Sequence, residues 1–135
     1  MRKRSAERRW WGLCFLVEVL HWEKPDRMMA IFKERRDLIV SGLNEVKGVT
    51  CISPCGALYA WPKITKLCKI VSASDSEKFR KKLLHDAGVA VLADIHFGMR
   101  VPGEGQQIRF SNATSDENII KGIERITNFV RTHRR

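Results

Sequence analysis

The stretch QIRFSNATSDENIIKGIERITNFV, Gln107 to Val130, decides the fold. Its first five residues alternate: Ile108 and Phe110 fall on one face, and Gln107, Arg109 and Ser111 on the other, the pattern of a strand buried on one side. Thr114-Ser115-Asp116-Glu117 has the form of a capping box, in which a hydroxyl and a carboxylate three residues apart satisfy free N–H groups at a helix start. Ile120, Ile123, Ile126 and Val130 then predict an apolar stripe along that helix. A one-sided strand running into a one-sided helix predicts a sheet covered by helices on a single face.

The residues upstream extend the same pattern. Ser74-Asp75-Ser76-Glu77 reads as another capping box, with Ser74 as its hydroxyl, followed by Phe79, Leu83 and Ala87 on one face and a stop at Gly88. Val89 to Leu92 predicts a buried strand, and Ala93 to Gln106, with Gly98, Pro102, Gly103 and Gly105, predicts a loop. Val49 to Ile52 and Ala57 to Trp61, on either side of Ser53-Pro54-Cys55-Gly56, predict a hairpin. From Asp26 to Val46 the residues Met28, Phe32, Ile39, Leu43 and Val46 mark an amphipathic helix stopped near Gly48. The order α, β, β, α, β, β, α defines an α+β domain with helices packed on one face of a small, largely antiparallel sheet. Residues 1–22 differ in composition, and both an apolar helix and an unstructured extension are open for them.

The 135 residues suffice for one domain, and 44% hydrophobic content without a low-complexity tract excludes a disordered or fibrous chain. Trp10 to Leu20 is interrupted by Glu18 and is too short to span a bilayer. Basic residues precede it as in a secretory signal, but His21-Trp22-Glu23-Lys24-Pro25 has no small-x-small cleavage site. Cys14, Cys51, Cys55 and Cys68 are few for a chain that can hold a core without staples, so reduced thiols and a cytoplasmic location are expected. The net charge of +10 raises the question of nucleic acid, but five basic residues crowd the first nine positions and three the last five. No helix-turn-helix, zinc-finger or RNP-type pattern accompanies them, so neither nucleic acid nor a membrane is expected as a partner.

Few residues offer chemistry. Cys51 and Cys55 with His21, His85, His96 and His133 lack a second cysteine pair and make a poor zinc set, so no metal is expected. A Cys–His nucleophile would need a contact that spacing alone does not show. Gly103-Glu104-Gly105 lacks a third glycine and leads into a strand, so it fails as a dinucleotide loop. Arg109 is the informative residue: its guanidinium leaves the core face of a strand, either into solvent or as a rigid fork for a carboxylate.

The order and spacing of five segments carry a resemblance. They are FKERRDLIVSGLNEVKGV (Phe32 to Val49), SPCGALYAWP (Ser53 to Pro62), SEKFRKKLLHDAGVAVL (Ser76 to Leu92), His96-Phe97-Gly98, and IRFSNATSDENIIKGIERITNF (Ile108 to Phe129). Over about four fifths of its length the chain resembles the C-terminal small domain of the fold type I, class I/II aminotransferases that use pyridoxal phosphate, within the aspartate aminotransferase-like group. The resemblance implies a small domain over residues 23–135 behind an unmatched basic and apolar extension over 1–22. It implies a family that moves an amino group between amino acids and 2-oxo acids, and Arg109 as the ligand of the substrate α-carboxylate. The Gly56-Ala57-Leu58-Tyr59 segment resembles a packing element beside the cleft, and no catalytic role is carried onto Tyr59.

The family's Schiff-base lysine lies in a Ser-x-Ser-Lys-like segment of a large domain, and here Ser72-Ala73-Ser74 is followed by Asp75. None of the eleven lysines has that context, so no catalytic or cofactor-binding residue is assigned and covalent attachment of pyridoxal phosphate is not expected. Where the family carries Pro-Gly before its Phe-Gly turn, this chain has Ala93-Asp94-Ile95-His96, which predicts a flexible, charged loop. The expectation is a truncated chain, inactive alone, whose partners are an amino or 2-oxo acid together with a large-domain chain or further copies of itself. The alternative is a basic binding or interaction module that reuses the scaffold.

Overall fold

The computed structural model describes residues 24–134. Expectations for residues 1–22, including Cys14 and His21, lie outside the described residues. The chain divides into two units between residues 31 and 32. Of the first, the described part is the opening of helix α1 (Lys24–Glu45), where Met28, Met29 and Ile31 are exposed.

The second unit continues α1 and adds β1 (Tyr59–Ala60), α2 (Thr65–Ile70), α3 (Ser76–Ala87), β2 (Leu92–Ala93), a 3-10 turn (Asp94–Phe97), β3 (Ile108–Ser111) and α4 (Asp116–His133). The sheet order is β1-β3-β2, and β3 pairs antiparallel with both neighbours, Tyr59 opposite Ser111 and Leu92 opposite Arg109. The α+β architecture is the expected one. Ile108 and Phe110 enter a core with Ile39 and Leu43 of α1, Phe79 and Leu83 of α3, and Ile126 and Phe129 of α4. Phe79 is fully buried, with its ring edge-to-face on Phe129 at 6.0 Å between centroids. Arg109 and Ser111 stay on the other side, so the alternation in the strand survives folding.

Several local expectations are corrected. No hairpin joins Val49–Ile52 to Ala57–Trp61, because the Asn44 side chain of α1 takes both backbone groups of Cys51, donating from Nδ2 to its carbonyl (2.9 Å) and accepting from its N–H (2.8 Å). Tyr59 and Ala60 pair with β3 instead, and Thr50 keeps only an isolated bridge to Lys63. The strand expected at Val89–Leu92 forms at Leu92–Ala93, since the Val89 N–H bonds back to the Leu83 carbonyl (3.4 Å) in the cap that ends α3. Gly88 makes that cap in the left-handed region at φ +65°, where a side chain would be strained.

Both helix starts shift by one residue. Asp75, not Ser74, caps α3 by accepting from the Lys78 N–H (2.8 Å), and Glu77 turns to Arg80 and His96. Ser115 caps α4, accepting from the Asn118 N–H (3.3 Å). The buried stripe of α4 is Ile119, Ile126, Phe129 and Val130; Ile120 faces outward. Helix α2 lies in a stretch where no element was expected.

Candidate functional site

Arg109 occupies the middle strand, and its position outside the core face follows from the burial of Ile108 and Phe110 on either side. Its guanidinium carbon lies 4.2 Å from the centre of the Tyr59 ring and 4.3 Å from the centre of the Phe97 ring, over both. Trp61 meets Phe97 edge-on at 5.0 Å. Cation–π contact of this kind fixes a guanidinium without consuming its N–H donors. Among the described residues no acceptor takes a hydrogen bond from Arg109 and no carboxylate pairs with it. The result is a positioned cation whose five donors are, among the described residues, available for a planar anion.

Tyr59 comes from β1 and Phe97 from the end of the 3-10 turn, so residues distant in sequence converge on Arg109. The part played by Phe97 was not legible in the sequence, because His96-Phe97-Gly98 lies where a plain loop is expected. The turn is not a flexible, charged loop. Asp94 accepts from Arg100 Nε (2.8 Å) and Nη2 (2.9 Å), from Ser76 Oγ (2.5 Å), and from the N–H groups of Ile95 (2.8 Å) and Gln107 (3.1 Å). Burial pushes the Asp94 carboxyl up, but the hydrogen bonds from Arg100, Ser76 and Gln107 outweigh it and bring it down to about 2. At the other end of the turn, His96 Nε2 sits 3.1 Å from Glu77 Oε2. Hydrogen bonds from Arg80 chiefly, with His96 adding to them, hold Glu77 at about 2 against its burial.

The other candidates separate. Cys51 and Cys68 are buried and Cys55 is exposed. Burial raises the Cys51 thiol and pushes Cys68 up to about 11, the opposite of an activated nucleophile. His85 and His133 flank Asp86, with ring nitrogens 2.9 and 3.4 Å from its carboxylate oxygens. Among the described residues no three His, Cys, Asp or Glu side chains are grouped as a metal site, and no helix is long and apolar enough to cross a membrane.

Beside the Arg109 cluster lies a cleft of about 160 Å³ lined by Trp61, Asp94, Phe97, Arg100, Glu104 and Gln107, among others. No lysine lines it. These residues do not fit pyridoxal phosphate, which needs an amine to condense with its aldehyde.

An α+β domain built on a small antiparallel sheet of this kind has counterparts among solved aminotransferases. The aspartate aminotransferase of Rhizobium meliloti superposes with a TM-score of 0.71 at 30% identity, covering 81% of this chain and 27% of that one. Residues 20–126 match the model of the family described as Aminotransferase class I and II, and the chain belongs to that family. The aspartate/prephenate aminotransferase of Cereibacter sphaeroides is 42% identical over 103 residues, which is 73% of this chain and 24% of that protein. A probable aspartate/prephenate aminotransferase of Rhizobium leguminosarum is 38% identical over 104 residues, 73% of this chain and 25% of that protein. The chain thus spans about a quarter of the length of the curated relatives it matches.

Proposed function

We propose that residues 23–135 are the small domain of an aspartate aminotransferase-like transaminase, with residues 1–22 as an extension, and that Arg109 binds the α-carboxylate of an amino acid or 2-oxo acid. The observation that carries this reading is the guanidinium of Arg109, held over Tyr59 and Phe97 with its donors uncommitted among the described residues. A planar fork in that state matches a carboxylate and prefers it to a point-like anion.

Transamination by this family runs on pyridoxal phosphate, which supplies the electron sink for the amino-acid carbon. The attachment lysine of the family has no counterpart in these 135 residues, so on this reading the cofactor and most of its pocket belong to a large domain. That domain is the partner the reading requires, in association with copies of the chain, in the cytoplasm. The small domain's share of the work is to grip the carboxylate and cover one side of the substrate.

The test is an NMR titration of the chain with aspartate. Arg109 is only half-buried, so a carboxylate paired with it is screened by water and the pair contributes about 1 kcal/mol or less. Binding is therefore expected to be salt-sensitive and weaker than about 1 mM, with shifts centred on Arg109, Tyr59 and Phe97, and lost in Arg109→Lys. Shifts centred elsewhere, or unchanged by the substitution, count against the reading.

A further inference from the structure

Phe97 is held in place by groups remote from the ring itself. It ends the 3-10 turn that Asp94 begins, and Gly98, at φ +134°, redirects the chain immediately after it. The Asp94 carboxylate gathers the turn, the start of α3 and the entry to β3. Ser76, the first residue of α3, is fully buried and donates to it. The Gln107 N–H donates to it just before β3, while the Asp94 N–H returns a bond to the Gln107 carbonyl at 3.1 Å. Arg100, beyond Gly98, closes the far side with a two-pronged grip and also reaches Ser76 Oγ at 2.5 Å. Ser76 is tied in turn by its N–H to Gln106 Oε1 at 2.8 Å. Ser76 and Gln107 thus tie the turn to the start of α3 and the entry to β3, with Arg100 closing it from the loop beyond Gly98, whereas Phe97 is 46% exposed and, among the described residues, has Trp61 and Arg109 as its aromatic and cation–π neighbours.

We propose that Asp94 is a positioning residue for Arg109: its carboxylate, clasped by Arg100 and Ser76, fixes the turn that lays Phe97 against the guanidinium. The proposal rests on the reading of Arg109 as the carboxylate ligand, and it assigns the orientation of that ligand to a residue that never touches it. A charge-assisted, two-pronged pair does here what a rigid proline would do by covalent geometry, with the difference that it can be broken by a single uncharged isostere. Asn at position 94 keeps the shape, but its amide NH2 meets an N–H donor of Arg100 together with either the Ser76 hydroxyl or the Gln107 N–H, and one acceptor oxygen is lost.

The test is read on the full chain without ligand, from the ring-current shift of the Arg109 δ-protons and its Nε–H resonance. In Asp94→Asn the Arg109 signals are expected to move toward their random-coil positions, while the ring signals of Phe79 and the methyl signals of Ile126 hold theirs. Phe97→Leu removes the ring and is expected to move Arg109 in the same direction. In the double variant the Asp94 substitution adds no further displacement, because both act through one contact. Arg100→Gln opens the clasp from its more exposed side, is expected to give a smaller displacement of the same sign, and decides the matter if Asp94→Asn does not fold. Arg109 signals unchanged in the folded Asp94 and Arg100 variants, or additive displacements in the double variant, overturn the proposal. Failure of aspartate to bind wild type while Arg109 still responds to Asp94→Asn overturns the functional reading and leaves the positioning role standing.

Discussion

Thiol chemistry separates the three cysteines among the described residues, which look alike in the sequence. Cys68 sits in α2 with its side chain in the core, and burial raises its thiol to about 11. At pH 8 that leaves on the order of one thiolate in a thousand, on a side chain a reagent does not reach. Cys55 is on the surface. Brief iodoacetamide treatment at pH 8 followed by peptide mapping should find Cys55 alkylated and Cys68 intact, and equal labelling of the two contradicts the burial assigned to Cys68. The same contrast between neighbours governs Arg109. Its outward direction was legible because period two is strict in a strand, whereas the rings beneath it come from two other segments and no local pattern announces them.

Helix starts show where local patterns run out. Ser74-Asp75-Ser76-Glu77 and Thr114-Ser115-Asp116-Glu117 each announce a helix, and each helix exists, but the capping group is the second residue of the motif. At α3 the carboxylate of Asp75 competes with the Ser74 hydroxyl and wins, leaving Ser74 to donate to Asp75 Oδ2 at 3.1 Å. Asp75→Ala should therefore cost about 1 kcal/mol in urea unfolding, and Ser74→Ala less than about 0.5 kcal/mol. The reverse order sinks the assignment. The hairpin expected before β1 failed for a tertiary reason: Asn44 lies seven residues upstream of Cys51 and claims its backbone from the side of a helix. Helix α2 escaped notice because six residues hold too little periodicity to stand out.

Over the second unit as a whole, the two ion-pair clusters at the ends of the 3-10 turn couple stability to acid. Asp94 and Glu77 both titrate near 2 when folded, against about 3.9 and 4.3 in an unfolded chain. As pH falls below that upper range, the unfolded chain takes up protons that the folded one refuses, so stability drops. The contribution is fully present above about pH 5 and is lost progressively as pH approaches 2. A circular-dichroism series of urea unfolding between pH 5 and 2 should show falling midpoints, with a shallower fall in Asp94→Asn. Identical slopes would mean that Asp94 titrates alike in both states. At this scale the one-sided α+β plan was readable from Ile108, Phe110 and the apolar faces of the helices, which each report burial on their own. The clasp at Asp94 was not, since Ser76, Asp94, Arg100 and Gln107 become neighbours only when the chain has folded back on itself.

The sheet order also sets a schedule for the growing chain. Strands β1 and β2 do not pair with each other; each bonds to β3, the last of the three to leave the ribosome. Until Ile108–Ser111 emerges, Tyr59–Ala60 and Leu92–Ala93 have no ladder partner, and the faces of α1 and α3 that will meet Ile108 and Phe110 stay wet. Helices can form locally during synthesis, but non-local pairing has to wait for its distant partner. Most of the polypeptide therefore spends its synthesis with apolar surface uncovered, a period in which chaperones have something to bind and aggregation has something to use.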